Sequence, residues 1–317
     1  MEYRNLGRAG VKVSAVGVGC NQFGSYLDQD GTRAVVEAAL DEGINFFDTA
    51  DVYGNQGLSE EYLGAALAGR WHEVVVATKV RHGMGDGPND QSTSRYHVQN
   101  GVEASLRRLK TDHIDLYQIH AWDDSVPLEE TLRALDDLVR AGKVRYLGAS
   151  NFDAWQLCRA NDLAERHGWE AFVSVQPEYN LLKREIEREL LPYCNWSGVG
   201  ILPYFPLAGG FLTGKYARSE APPAGTRGQR SAYVRKFLTA ENFDLIDQLR
   251  PIAEAHDRTL ADLAIAWLLA QPRVASVIAG ATKPEQIKIN AAAAGWVLTP
   301  EEVTKIRGIL EPEEEEG

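Results

Sequence analysis

The chain predicts an α/β fold in one domain, a closed barrel of parallel strands alternating with helices. Three observations carry that expectation. Short apolar runs alternate with segments of helical spacing along the whole length, the runs number eight, and from Ile44 onward each run ends on a polar residue or a glycine. Apolar strands alternating with amphipathic helices imply a parallel sheet covered by helices. An open doubly wound sheet fits the same alternation, but eight units of roughly constant length favour closure.

The apolar runs are residues 15–18, 44–47, 74–78, 114–119, 144–147, 172–175, 201–204 and 276–279. Between them, segments such as 32–41, 98–109, 128–140 and 154–166 place apolar residues three and four apart, which is helical spacing. After the seventh run comes a Gly/Pro-rich stretch, 208–240. It is too long for a connector and predicts an ordered or ligand-gated loop over the rim. Two further helical patterns, 284–294 and 300–310, complete the barrel and cap it with a C-terminal helix. Residues 1–311 are expected to form the barrel domain and 312–317 an acidic, disordered tail. The run ends are Asp48, Lys79, His120, Ser150 with Asn151, Gln176, Tyr204 and Gly280. In a closed parallel barrel they share one rim, the face where such barrels build active sites.

Composition narrows the function. A chain of 317 residues, 44% of them hydrophobic, can bury a large core. A formal charge of -12 argues against a nucleic-acid or anionic-membrane surface. Cys20, Cys158 and Cys194 show neither metal-ligand spacing nor an even disulfide set, so a reducing cytoplasm fits best. The amino terminus lacks the apolar run of a signal peptide, and no stretch of 18 apolar residues occurs, so no membrane span is expected. No metal site is expected either, because of the seven histidines only His120 ends a strand.

Two phosphate-binding motifs fail on inspection. Gly17-Val18-Gly19 lacks the third glycine of the dinucleotide fingerprint. The stretch from Gly209 to Tyr216 has P-loop spacing but puts Tyr216 where a Ser or Thr must ligate magnesium. Its glycines and Lys215 could still wrap a pyrophosphate without a metal.

The catalytic candidates are Asp48, Tyr53, Lys79 and His120. Asp48 and Tyr53 lie in FDTADVYG, Lys79 in VVVATKV and His120 in LYQIH. A tyrosine loses its proton only near pH 10, so general acid or base work at neutral pH calls for a neighbouring cation to stabilise the phenolate. Lys79 supplies that cation, and an ammonium at an apolar barrel mouth needs a counter-charge, which Asp48 provides. His120 is then free to hydrogen-bond a substrate carbonyl or share the proton. Singly, each reads as an ion pair, a packed ring or a satisfied polar residue. Their common position at one end of three successive strands favours the functional reading.

These residues sit in a wider pattern. SLRRLKTDHIDLYQIH, GKVRYLGASNF, QPEYNLL and PLAGGFLTGK follow in order, and from Leu6 to Asn290 the chain resembles the aldo-keto reductase family. The resemblance implies a (β/α)8 TIM barrel that binds NADPH across the rim and reduces an aldehyde, ketone or sugar-like carbonyl to the alcohol, reversibly, by direct hydride transfer. In that pattern Tyr53 is the proton donor, Lys79 and Asp48 lower its pKa, and His120 orients the carbonyl. The resemblance also implies that Ser150, Asn151 and Gln176 bond the nicotinamide carboxamide and that the ring stacks on Tyr204. Phe205, Pro206, Leu207, Gly209 and Lys215 match the loop over the pyrophosphate. Gly280, Thr282, Lys283, Gln286 and Asn290 match the segment that holds the adenosine end, and Gly19, Cys20 and Asn21 complete the cofactor set. For substrate, Cys20, Asn21, Phe23, Tyr26, Trp122 and Asp123 are expected along the pocket, beside Tyr53 and His120.

The pattern is broken in one region. Gly280 and Gln286 stand where many members carry the Lys and Arg that hold the 2′-phosphate, and Ile289 replaces a frequent glutamate. Lys283, with Arg227 or Arg230, could restore the charge, so NADPH is expected first and NADH is the alternative. A rival is a non-catalytic, cofactor-sensing subunit of a potassium channel, which the fold also serves. Such subunits carry an asparagine at the position of His120, which argues for the enzyme. The expected partner is a small carbonyl or alcohol substrate, and a homo-oligomer is left open.

Overall fold

The computed structural model describes residues 1–218 and 220–311, so the expected tail at 312–317 lies outside the described residues. Eight strands form one parallel sheet: β3 (Val16–Gly19), β4 (Phe46–Asp48), β5 (Val75–Val80), β6 (Ile114–Ile119), β7 (Val144–Ser150), β8 (Phe172–Gln176), β9 (Gly200–Ile201) and β10 (Val277–Gly280). From β3 to β9 each strand pairs with the next, and β10 pairs with β3. Closure between β9 and β10 rests on a bridge of Ile201 to Val274 and on bonds from Ile201 N to Arg273 O at 2.8 Å and from Ile278 N to Pro203 O at 2.9 Å. The alternation of apolar runs and helices thus closes into the expected barrel.

Strand alternation sorts the residues by depth. Side chains two apart along a strand share a face. Phe46, Val75, Ala77, Leu116, Leu202 and Ile278 pack together as the inner core. The same parity carried upward puts Asp48, Lys79, Gln118, Ser150 and Gln176 inside the mouth, all buried. Odd and even residues of one strand therefore take different tasks: Val76 and Val80 join the outer core against the helices while Lys79 points inward. Gly148 makes room for this layer, since a Cβ there would stand 2.9 Å from Ser174 Oγ and 3.0 Å from Gln118 Cγ.

The helices follow the expected spacing. Leu128–Arg140 buries Leu132, Leu135 and Leu138, carries Glu129 and Glu130 in its first turn and closes with Arg140. That distribution suits the helix dipole. Pro300–Leu310 opens with a capping box of Thr299 and Glu302.

Three features depart from the sequence reading. A hairpin of β1 (Tyr3–Asn5) and β2 (Lys12–Ser14) precedes the barrel, and Leu6 and Val13 enter the inner core from it. The seventh barrel strand ends at Ile201 instead of Tyr204, because Pro177 and Pro203 lack the N–H groups a ladder needs. Tyr204 is held by an isolated bridge to Glu178. The 208–240 stretch is not plain loop, for it contains short helices at Arg227–Arg230 and Ala232–Arg235.

Candidate active site

The four candidate catalytic residues meet at the barrel mouth. Lys79 Nζ donates to Asp48 Oδ2 at 2.7 Å and to Thr49 O at 2.9 Å, with the lysine side chain fully buried. Lys79 is one residue short of its strand's end, and Val80 follows it. The other carboxylate oxygen, Asp48 Oδ1, accepts from Gln118 Nε2 at 3.0 Å and Gln176 Nε2 at 2.9 Å. A buried ion pair persists only when its remaining atoms are bonded, and these amides meet that condition for the carboxylate. The Lys79 ammonium lies 5.0 Å from the centre of the Tyr53 ring, and Tyr53 stands edge-on to His120 at 5.7 Å.

The electrostatics refine one expectation and correct another. Burial pulls the Lys79 pKa down, but Asp48 and Tyr53 outweigh it and leave it raised. For Tyr53, burial raises the pKa more than Lys79 lowers it, and Asp48 raises it further. Lys79 lowers it as expected, and by more than Asp48, against expectation, raises it, but burial outweighs both. A phenolate loses more solvation in this apolar mouth than one cation returns. Tyr53 rests as a neutral phenol, the form that donates a proton. His120 is pushed down to about 2 by burial, then by Lys79, His82 and Arg81, so its imidazole is neutral.

The rim residues form a chain leading out from this centre. Asn151 Nδ2 donates to His120 O at 2.9 Å and to Ser150 Oγ at 3.1 Å, while Ser150 Oγ donates to Gln176 O at 2.9 Å. Tyr204 OH donates to Asn151 Oδ1 at 2.8 Å. Asn151, Phe205 and Ala208 all take positive φ, at 55°, 55° and 47°. Such backbone strain is held only where surrounding structure enforces it, and it gathers at functional sites.

On the other side, Gly19 pairs with both Asp48 and Gly280. A Cβ on Gly280 would lie 3.7 Å from Asn21 Oδ1 and 3.8 Å from Arg227 Nη2, so the missing side chain keeps a gap between these two groups. The Arg227 guanidinium also covers the Phe205 ring at 5.8 Å. Pro206 is buried, Leu207 packs on the outer core, and Gly209 turns the chain at φ 66°. Gly210 takes φ 99°, and a Cβ there would lie 2.6 Å from Lys215 Nζ. Lys283 precedes the helix Pro284–Ala293 and is exposed, Asn290 is buried, and Gln286 Oε1 accepts from Thr282 N at 2.7 Å.

The expected substrate residues divide. Phe23 is fully buried in the outer core and Cys20 is buried against Asp48, so neither presents a surface to a ligand. Trp122 packs edge-on against Phe152 and Trp155, and Asp123 accepts from Thr93 N and Ser125. Tyr26 is exposed beneath Arg230, whose guanidinium lies 5.0 Å from its ring.

Sequence reasoning missed three groups here. Gln118 shares the inward parity of Leu116 and His120, which was a usable signal. Arg81 and His82 follow directly after the Lys79 strand, and the His82 ring lies 4.5 Å from His120. No motif marks them. A groove beside Tyr62, Arg107 and Lys110 on the outer wall touches none of these groups.

Comparison with known proteins agrees with this geometry. A protein from Oryza sativa subsp. japonica named a probable voltage-gated potassium channel subunit beta is 40% identical, over 98% of this chain and 97% of its own. An uncharacterized oxidoreductase, YrpG of Bacillus subtilis, is also 40% identical, over 98% of this chain and 96% of its own. The versiconal hemiacetal acetate reductase of Aspergillus parasiticus is 37% identical over 96% and 95%. The model of the aldo/keto reductase family matches residues 15–311. A match running from the first barrel strand to the last helix leaves one conclusion: this chain belongs to the aldo/keto reductase family.

Proposed function

We propose that the chain is an NAD(P)H-dependent reductase of aldehydes, ketones or sugar-like carbonyls, acting through Tyr53. The observation that carries this reading is the buried Asp48–Lys79 pair set against the Tyr53 ring, with neutral His120 beside it. The rim fits a dinucleotide. Burial lowers the Arg227 pKa, and among the described residues only Tyr26 and Tyr216, no carboxylate, raise it; Lys215 lies 5.3 Å from the Tyr216 ring, and Gly280 leaves the gap beside Asn21. Guanidinium and ammonium groups of this kind would hold phosphates. Tyr204 offers a ring face already fixed through Asn151.

A bound nicotinamide would supply the hydride. The protein's share is to place the carbonyl and to give its oxygen a proton. A neutral His120 donates an N–H to the carbonyl oxygen and cannot compete as an acid. Tyr53 donates the proton from its phenol, and Lys79 stabilises the phenolate left behind, more strongly in this dry setting than it would in water. Asp48, Gln118 and Gln176 keep Lys79 in place.

The test is fluorescence titration with NADPH and NADH, then absorbance at the reduced-nicotinamide band with a panel of aldehydes, ketones and sugars. The expected result is tight binding followed by substrate-dependent oxidation. Tighter NADPH binding would assign the 2′-phosphate to Lys283 with Arg227 or Arg230, and equal affinities would favour NADH as well. A second reading draws on the relatives named as channel beta subunits: a cofactor-binding subunit of such an assembly. Binding without turnover across the whole panel would favour it.

A further inference from the structure

Beside His120 stand two groups that the proposed chemistry leaves unused. His82 contacts the His120 ring edge-on at 4.5 Å and is half-buried. Arg81 is partly buried, and its Nε is wholly buried without a hydrogen-bond partner among the described residues. Its charge reaches the site, for it lowers the pKa of His120, His82 and Asp123 alike.

A guanidinium carries five donors in a rigid fork matched to a carboxylate, and leaving a buried donor unpaired is costly. The neighbouring acid does not meet that need. Asp123 Oδ2 already accepts from Thr93 N at 2.9 Å and Oδ1 from Ser125 N at 3.0 Å. Nor does the tetrad, where Asp48 is spent on Lys79 and two amides. The backbone at Arg81 also takes a φ of 140°, a region that side-chain-bearing residues rarely adopt. Val80 O, one residue earlier, accepts from His120 N at 2.9 Å, so Arg81 leaves the strand from the point where that strand is tied to His120.

We propose that Arg81, flanked by His82, is an anion-binding wall of the substrate pocket, and that the carbonyl compound carries a carboxylate, an aldehyde or keto acid. This rests on the reductase reading. With its carbonyl oxygen between Tyr53 and His120, such a substrate lays its acid group over His82 toward the Arg81 fork.

The probes are 4-oxobutanoate and 4-carboxybenzaldehyde, each against its methyl ester, with the cofactor that binds more tightly. In the wild-type protein kcat/KM is expected to favour acid over ester by at least about tenfold, mostly through KM. Arg81→Met should bring the ratio close to one, and Arg81→Lys, which keeps the charge but not the fork, should fall between. An acid-to-ester ratio of one or less in the wild type overturns the proposal, as does a ratio unchanged in Arg81→Met. If neutral aldehydes are reduced and both acids are refused, the anion wall is wrong while the reductase stands. If no carbonyl compound of either kind is reduced, the reductase reading falls first and this one with it.

Discussion

Two regions of the same rim handle positive charge in opposite ways. At the strand ends, Lys79 is fully buried and locked to Asp48, whose other oxygen is held by two glutamine amides. On the loop after β9, Arg227 stands near aromatic rings, burial lowers its pKa, and no carboxylate among the described residues acts on it. The first arrangement is complete in itself, as a group that must keep one geometry through a reaction requires. The second leaves a cation open to an anion. Under the proposed function, the difference separates the part of the rim that would do chemistry from the part that would hold the cofactor.

That contrast is most directly broken at its buried end. Lys79→Met strands Asp48, and leaving one partner of a buried pair costs about 3 to 5 kcal/mol. Denaturant unfolding should show that loss, and turnover should fall at least about 100-fold as the phenolate loses its cation. Tyr53→Phe isolates proton transfer from folding: kcat should drop at least about 100-fold while fluorescence titration gives cofactor affinity near the wild-type value. Comparable turnover in this variant would remove Tyr53 from the mechanism. At the open end, Arg227→Ala should weaken cofactor binding about tenfold, read by titration, with little change in kcat at saturation. A large drop in kcat with intact binding would show that the two regions are not separable in this way.

A separate effect concerns a carboxyl that neither region uses. Asp51 is buried, neither of its oxygens has a hydrogen-bond partner among the described residues, and burial, then Glu60, raises its pKa from 3.8 to about 8. The folded protein keeps this proton while the unfolded chain has lost it, so its contribution to stability is full below pH 3.8 and is lost as pH rises toward 8. Asp51→Asn should flatten the fall of Tm between pH 5 and 8, and an equally steep fall in the variant would show that other groups govern it.

Much of the fold was legible because its signals are local. An apolar run is read from five neighbours and a helix from spacing of three and four, so the eight strands and Leu128–Arg140 could be placed from the residues. The candidate tetrad was legible for the same reason, as each member lies within five residues of a strand end. The β1–β2 hairpin was not, because three-residue strands carry too little alternation to register. Phe23 was read as a pocket residue because nothing local distinguishes a rim aromatic from a core one.

What the sequence by itself determined is the order of strands and helices, the polar residue offered at each strand end, and hence the kind of chemistry the rim can attempt. The tertiary structure alone decided that Gln118 and Gln176, 70 and 128 residues from Asp48, hold its carboxylate. It also decided that burial raises the Tyr53 pKa and that Arg81 Nε is buried without a hydrogen-bond partner among the described residues. These outcomes depend on burial and on distances between segments far apart in the chain. Desolvation and pairing arise only when such segments pack, and no single stretch of residues carries them.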